Sequence, residues 1–244
     1  MIKLLEGKVC LITGTAAQHS IGAATARLFA AHGARLVLAD ILAAPEVGSD
    51  RIALACDITR PEDCAAAVAA AVEAFGRIDA VVHCAGVVGA SGLLDIGADD
   101  FDRMIAVNLK GSFNLCQAVL PQMVKQGSGS IALLASLAAQ RGGGLVGGAH
   151  YAAAKGGVLS LARTIAREFG PNGVRANAIC PGMTRTGMID GVADEDINRI
   201  AAEIPLRRLG TPEDVAGACL FLASDLSAFV NGVTLDVNGG FHIH

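Results

Sequence analysis

Lys8-Val-Cys-Leu-Ile-Thr13 is an apolar run that stops at Gly14. After Thr15-Ala-Ala-Gln-His-Ser20 the chain resumes at Ile21-Gly22, with a helical repeat of apolar residues that reaches His32 and closes on Gly33. A strand, a glycine-bearing turn and a helix in that order present backbone N–H groups and a helix N-terminus to one point in space, an arrangement that suits a pyrophosphate. Turns between strands and helices often carry glycine, so the pattern alone is a weak signal. Its position after the first strand is what favours a dinucleotide, with Gly14, Ser20, Ile21 and Gly22 as the candidate contacts.

Outward from this stretch the alternation continues. Ala34–Asp40, Arg51–Asp57, Ala80–Cys84, Ser130–Ala135, Val174–Ile179 and Gly232–Val237 read as further strands. Thr59-Arg-Pro-Glu62 reads as a capping box that opens a helix through Phe75, and Thr211-Pro-Glu-Asp214 caps another with proline in its first turn. A long helix is expected over Asp100–Lys125, and one more carries Tyr151. Strands this apolar are buried on both faces, and each is separated from the next by a helix or crossover. The expectation is therefore a doubly wound α/β fold, a seven-stranded parallel sheet with helices on both faces. Its ligand belongs at the carboxyl ends of the strands, where the strand order reverses.

The 244 residues suit one α/β domain spanning 1–244, because no linker, low-complexity tract or repeat divides them. The net charge of −4 is scattered, which gives no surface for nucleic acid. Apolar stretches such as Ile131–Ala135 are short and interrupted, so no membrane span is expected, and the N-terminus leads into a strand without a signal-peptide pattern. Seven cysteines with no C-x-x-C spacing argue against a disulfide framework and against a zinc site, and read as small buried residues in a reducing cytoplasm. His242 and His244 form an H-x-H, read as an exposed tail with no acid nearby rather than a metal site.

Tyr151-Ala-Ala-Ala-Lys155, with Ser136 upstream, carries the chemistry. Residues four apart share one helix face, so the phenol and the ammonium point into the same space. A positive charge beside a phenol stabilises the phenolate and lowers its pKa, which makes the pair a general acid and base, with Ser136 placed to hold a substrate oxygen. Asp40 ends the second strand, where a carboxylate accepts both adenosine ribose hydroxyls and repels a 2′-phosphate. No Lys or Arg follows in Ile41–Ala44. NAD is the expected cofactor.

Taken together, the chain resembles the classical short-chain dehydrogenase/reductase family over essentially its whole length. The matching elements are Thr13-Gly14 with Ile21-Gly22, Cys56-Asp57-Ile58, Ala85-Gly86, Val107-Asn-Leu-Lys-Gly111, Ser136, Tyr151 with Lys155, Asn177-Ala-Ile-Cys-Pro181-Gly182 and Val237-Asn-Gly-Gly240. The resemblance implies a Rossmann fold, with Tyr151 as proton donor and acceptor and Ser136 orienting the carbonyl or hydroxyl. It gives Lys155 the nicotinamide ribose and the lowering of the tyrosine pKa, and gives Asn108 support of a water-linked proton path to Lys155. Asp57 and Ile58 are implied at the adenine, and Ala85 and Gly86 at the adenosine-side ribose. Pro181, Gly182, the backbone of Thr184 and the hydroxyl of Thr186 are implied at the nicotinamide amide.

The sequence departs from the family pattern in three places. The glycine loop is longer than usual, with Ser20 where the middle glycine belongs and a hydroxyl able to bond a phosphate oxygen. Cys84 replaces the asparagine of N-A-G, which puts a hydrogen bond between central strands at risk. The glycine-rich stretch Arg141–Gly148 lengthens the connection from Ser136 to Tyr151. The longer first loop is similar to that of enoyl reductases in the same superfamily, but those separate tyrosine and lysine by more than three alanines, so C–O chemistry is favoured here.

The resemblance further implies a homotetramer, and the cysteines place it in the cytoplasm. Val158, Leu161 and Ile165 repeat at helical spacing and face either a partner or the chain's own sheet. The candidate pocket segments Val87–Leu94 and Leu137–His150, with a substrate lid at about 187–204, offer Leu145, Val146, Met183, Met188, Ile189 and Val192. Beyond Arg141 and Arg185 they carry few charges, so a small or medium, largely apolar alcohol or ketone is the expected substrate. The alternatives are a 3-oxoacyl thioester (acyl-carrier-protein) reductase, which prefers NADPH and a basic docking face, and a catalytically silent dinucleotide-sensing module.

Overall fold

Val9–Thr13 form the first strand, β1, and every one of its residues is buried. Its side chains alternate between two cores, Val9 and Leu11 to one face of the sheet and Cys10 and Ile12 to the other. That two-sided burial is why the run reads as unbroken hydrophobicity. The computed structural model describes residues 2–43 and 45–244; Ala44, the last residue of the segment after Asp40 noted above, lies outside them.

In chain order β1 is followed by α1 (Ile21–Ala31), β2 (Arg35–Asp40), β3 (Glu46–Val47), β4 (Arg51–Ala55), α2 (Pro61–Phe75), β5 (Ala80–His83), α3 (Ala98–Ile105) and α4 (Gly111–Gln126). Then come β6 (Gly129–Leu134), α5 (Ala138–Arg141), α6 (Ala149–Phe169), β7 (Val174–Pro181), α7 (Asp194–Glu203), α8 (Pro212–Ala223) and β8 (Thr234–Val237). The sheet has eight strands in the order β3-β4-β2-β1-β5-β6-β7-β8. All pairs are parallel except β3 with β4, which run antiparallel. The seven expected strands are there, and the expected count of seven is corrected by the two-residue edge strand β3, too short to leave a period-two signal. Helices α2, α4 and α6 cover one face and α1 and α8 the other. The order reverses between β1 and β5, the place where such sheets bind ligands.

Local expectations fare unevenly. Thr211 and Asp214 close the expected capping box on α8. The box at Thr59 does not form: Arg60 is the N-cap of α2, without a side-chain cap bond, and the Thr59 hydroxyl donates to Asp57 Oδ1 at 2.7 Å. The long helix expected over Asp100–Lys125 is α3 and α4 joined by a π-helical turn, Ala106–Lys110, which carries Asn108. Val158 and Ile165 are buried against the chain's own sheet, and Leu161 is partly buried there, so this row faces inward and not a partner. His244 Nδ1 lies 3.4 Å from Asp236 Oδ2, so the C-terminal histidines do have an acid beside them. Among the described residues, no helix is long and apolar enough to cross a membrane.

Candidate active site

Two adjoining clefts open at the carboxyl ends of the strands, one of about 950 Å³ and one of about 560 Å³. They are continuous, because Ile21, Cys84, Thr186, Met188 and Ile189 line both.

The larger cleft is built on close backbone packing. Gly14 has φ +72°, and a Cβ there would sit 2.8 Å from the Ala85 nitrogen; a Cβ on Gly22 would strike the Gly14 carbonyl. The helix α1 therefore approaches the end of β1 only because both residues lack side chains. Ser20 caps α1, its hydroxyl accepting from the Ala23 N–H and donating to the Gly14 carbonyl, both at 3.0 Å. That hydroxyl holds the lengthened turn against the start of α1 while still lining the cleft. Gln18 and His19 line the cleft, and the Gln18 carbonyl accepts from Arg27 Nη1 at 3.1 Å.

At the far end Asp40 accepts backbone hydrogen bonds from Ala16 and Leu42, each at 3.0 Å. Asp57 and Ile58 line the same wall, with Asp57 Oδ1 accepting from the Thr59 N–H at 2.9 Å. Ala85 and Gly86 complete it. A Cβ on Gly86 would lie 2.7 Å from Asn108 Oδ1 and 3.4 Å from Lys155 Nζ, so the absence of a side chain there keeps this junction open.

Ser136, Tyr151 and Lys155 line the smaller cleft together with Pro181, Gly182, Thr184 and Thr186. The Tyr151 ring and Lys155 share the inner face of α6, with Nζ 5.9 Å from the ring centroid. Nζ itself donates to the Leu134 carbonyl at 2.7 Å, and burial pushes the Lys155 pKa down to about 8. The phenol moves the other way. Burial raises its pKa, and a hydrogen bond with the Ser136 hydroxyl offsets part of that rise. The expected lowering by Lys155 is absent in the protein alone, because with a pKa of about 8 its charge is gone before the phenol titrates. Thr184 Oγ1 donates to the Gly182 carbonyl at 3.0 Å, and Thr186 Oγ1 accepts from the Met188 N–H at 3.4 Å.

Every catalytic and cofactor residue nominated from sequence lines one of the clefts except Asn108, whereas of the expected pocket segment Val87–Leu94 only Val87 and Val88 do. Asn108 is fully buried behind the wall, donating to the Val87 carbonyl at 2.9 Å and accepting from the Val87 N–H at 3.2 Å. Its own carbonyl accepts from the Ser112 hydroxyl at 2.7 Å. The π-helical turn is what swings the asparagine side chain onto the 86–87 segment.

Sequence reasoning passed over Thr13 as a side chain, His83, Arg199 and Phe241. Thr13 Oγ1 accepts from the Cys84 and Ala85 N–H groups, both at 3.1 Å, which uses both of its lone pairs. Its proton therefore goes to His83 Nδ1 at 2.8 Å, leaving the histidine proton on Nε2. Burial pushes the His83 pKa down to about 3, so the ring is neutral. The tie between central strands that cysteine at position 84 puts at risk thus runs through Thr13. A threonine ending an apolar strand was the available signal. Arg199 and Phe241 line the smaller cleft, whereas Arg185 and Val192, expected at the substrate, line the larger one; α7 and the C-terminus reach the cleft only through tertiary packing.

Residues 14–242 match the family model described as enoyl-(acyl carrier protein) reductase. The chain is 45% identical over 252 residues to an uncharacterized short-chain type dehydrogenase/reductase of Sinorhizobium fredii, covering 99% of this chain and 100% of that one. It is 38% identical over 248 residues to a 3-oxoacyl-[acyl-carrier-protein] reductase of Thermotoga maritima, covering 98% and 99%. A crystal structure of a short-chain dehydrogenase/reductase from Brucella melitensis, described as a glucose/ribitol dehydrogenase, superposes with a TM-score of 0.91 at 34% identity over 100% of both chains. The fold and the clefts define a dinucleotide-dependent oxidoreductase, and the chain belongs to the short-chain dehydrogenase/reductase family.

Proposed function

We propose that this protein is an NAD(H)-dependent alcohol dehydrogenase and ketone reductase, interconverting a secondary alcohol and a ketone with Tyr151 as general acid and base. One observation carries the reading: Tyr151, Ser136 and Lys155 line a cleft continuous with a second one that ends at Asp40. The residues fit a nicotinamide dinucleotide, since Gly14, Gly22 and Gly86 leave a cradle that side chains would fill. Gly14, Ser20, Ile21 and Gly22 would hold the pyrophosphate, Asp40 the adenosine ribose, Asp57 and Ile58 the adenine, and Ala85 and Gly86 the adenosine-side ribose. Pro181, Gly182, Thr184 and Thr186 would hold the nicotinamide amide, and Lys155 the nicotinamide ribose. When bound, the nicotinamide accepts or supplies the hydride.

The chain supplies position and a proton. Ser136 and Tyr151 bond the same substrate oxygen, so charge developing there is met in place. In oxidation Tyr151 takes the hydroxyl proton; in reduction it returns one. With a pKa near 8, Lys155 exchanges protons close to neutrality, and Asn108 positions the Gly86–Val87 wall beside it. Residues 187–204, which include α7, act as a lid over both clefts. Cofactor and substrate sites share one domain, in a cytoplasmic homotetramer.

The second reading, a 3-oxoacyl thioester reductase, is favoured by the Thermotoga relative. Asp40 and the net charge of −4 stand against it, since NADPH and an acidic carrier both need positive charge. The enoyl-reductase description of the matching family model meets the same three-alanine spacing between Tyr151 and Lys155 that favours C–O chemistry. A silent sensor has no use for Ser136, Tyr151 and Lys155. Steady-state turnover of alcohols, ketones and a 3-oxoacyl thioester with each of the four nicotinamide cofactors tests the reading. NADH-dependent ketone reduction is expected; turnover confined to NADPH and the thioester would move the protein to the second reading.

A further inference from the structure

The smaller cleft carries three charged side chains, Lys155, Arg141 and Arg199, and all are cationic; no Asp or Glu lines it. Two of the three are already engaged. Lys155 donates to the Leu134 carbonyl. Arg199 pairs along its own helix, with nitrogens 2.7 Å from Asp196 Oδ1 and 3.6 Å from Glu203 Oε1. Arg141 differs, because among the described residues it has no acidic partner. Its guanidinium lies over the Phe241 ring, 4.5 Å from the centroid, and Nη1 donates to the Phe241 carbonyl at 3.3 Å. Stacking fixes the plane of the guanidinium and leaves most of its five N–H donors free. A planar fork held in place on an acid-free wall matches the two oxygens of a carboxylate.

We propose that the substrate carries a carboxylate at the end remote from the reacting carbon, and that Arg141 binds it. The inference rests on the alcohol/ketone reading above and narrows it to hydroxy acids and oxo acids with an apolar body. Leu145, Val146, Met183 and Met188 line the cleft and pack that body. Arg141 sits at the C-terminal end of α5, five residues after Ser136, so the same short segment orients both ends of the substrate.

The test compares kcat/KM for straight-chain oxo acids of graded length with that for their neutral methyl esters, in wild type, Arg141→Gln and Arg141→Lys. Wild type is expected to favour the acid over its ester by about tenfold or more, the size of a charge-assisted hydrogen bond. Arg141→Gln should bring that ratio close to one, and Arg141→Lys should restore part of it. A wild type that does not discriminate, or an Arg141→Gln variant that slows acid and ester alike with the ratio unchanged, overturns the proposal. Turnover of neither compound defeats the alcohol/ketone reading and leaves the anion site to a second measurement. In that measurement a straight-chain carboxylate and its primary amide are titrated calorimetrically into the protein with NADH. Tighter binding of the carboxylate, lost in Arg141→Gln, supports the site; equal binding of the two overturns it.

Discussion

The Asp40 carboxylate accepts a hydrogen bond from the Ala16 N–H at 3.0 Å, which fastens the acidic end of β2 to the glycine-bearing turn after β1. The other carboxylate oxygen accepts from the Leu42 N–H at 3.0 Å. Each oxygen keeps a lone pair, so a carboxylate of fixed orientation faces the larger cleft with room to accept two hydroxyls. The same fixed charge repels a 2′-phosphate.

Replacing Asp40 with Ser should weaken NAD binding by about tenfold or more, since a charged hydrogen bond contributes ~1.5–3 kcal/mol, and should narrow the preference over NADP. Fluorescence titration with NADH and NADPH measures both. Equal use of NADPH and NADH by the unmodified protein would remove the role assigned to Asp40.

Tyr151 is the only tyrosine, and the chain has no tryptophan. Its phenolate absorbance therefore reports one residue. Without cofactor it should titrate above the ordinary value of 10.0, because burial outweighs the Ser136 hydrogen bond. The positive charge of NAD+ should lower it, read as a difference spectrum, and the pH dependence of alcohol oxidation should follow. Tyr151→Phe should abolish the band and nearly all turnover. A phenol that still titrates near ~10 with NAD+ bound, in an enzyme oxidising alcohols well at neutral pH, contradicts the mechanism.

Lys155 has a pKa lowered from 10.5 to about 8 by burial. Below pH 8 both folded and unfolded chains hold its proton, and the folded chain bears the cost of a buried charge. Between 8 and 10.5 the unfolded chain binds more protons, so Lys155 makes stability rise with pH across that window. Relative to Lys155→Met, the wild type should therefore gain stability by ~3 kcal/mol from pH 8 to 10.5, measured by urea unfolding. A stability difference independent of pH would show that Lys155 is not held as described. Activity of the variant should be lost throughout.

Residues 187–204 should exchange amide hydrogens quickly in the protein alone and slowly once cofactor and a substrate analogue are bound. Met188 and Ile189 line both clefts, so ligands in either would order them. Identical exchange in the two states counts against a lid.

Phe113 on α4 is 48% exposed and Phe101 on α3 44% exposed, apolar side chains of the kind a homotetramer would bury. Sedimentation at micromolar concentration should give a tetramer, and Phe113→Asp a smaller species. A monomeric wild type would dispose of the assembly.

Much of this protein is written locally. Thr13-Gly14 with Ile21-Gly22 specify a strand, a tight turn and a helix, because a Cβ at either glycine collides with backbone. The four-residue spacing of Tyr151 and Lys155 puts them on one face of α6. The alternation of apolar runs with helical repeats determines the doubly wound sheet, since strands buried on both faces need helices on both sides.

Other features were decided only when distant elements met. Ser20 became a helix cap because the lengthened turn folds back on the Gly14 carbonyl. Asn108 went behind the wall because a π-helical turn rotates it onto Val87. The phenol of Tyr151 and the ammonium of Lys155 took their protonation tendencies from burial, which no spacing encodes. Arg141 gained its fixed plane from Phe241, one hundred residues further along the chain. Periodicity records which face of an element is apolar; desolvation and side-chain partners depend on what packs against that face, and only the folded chain supplies it.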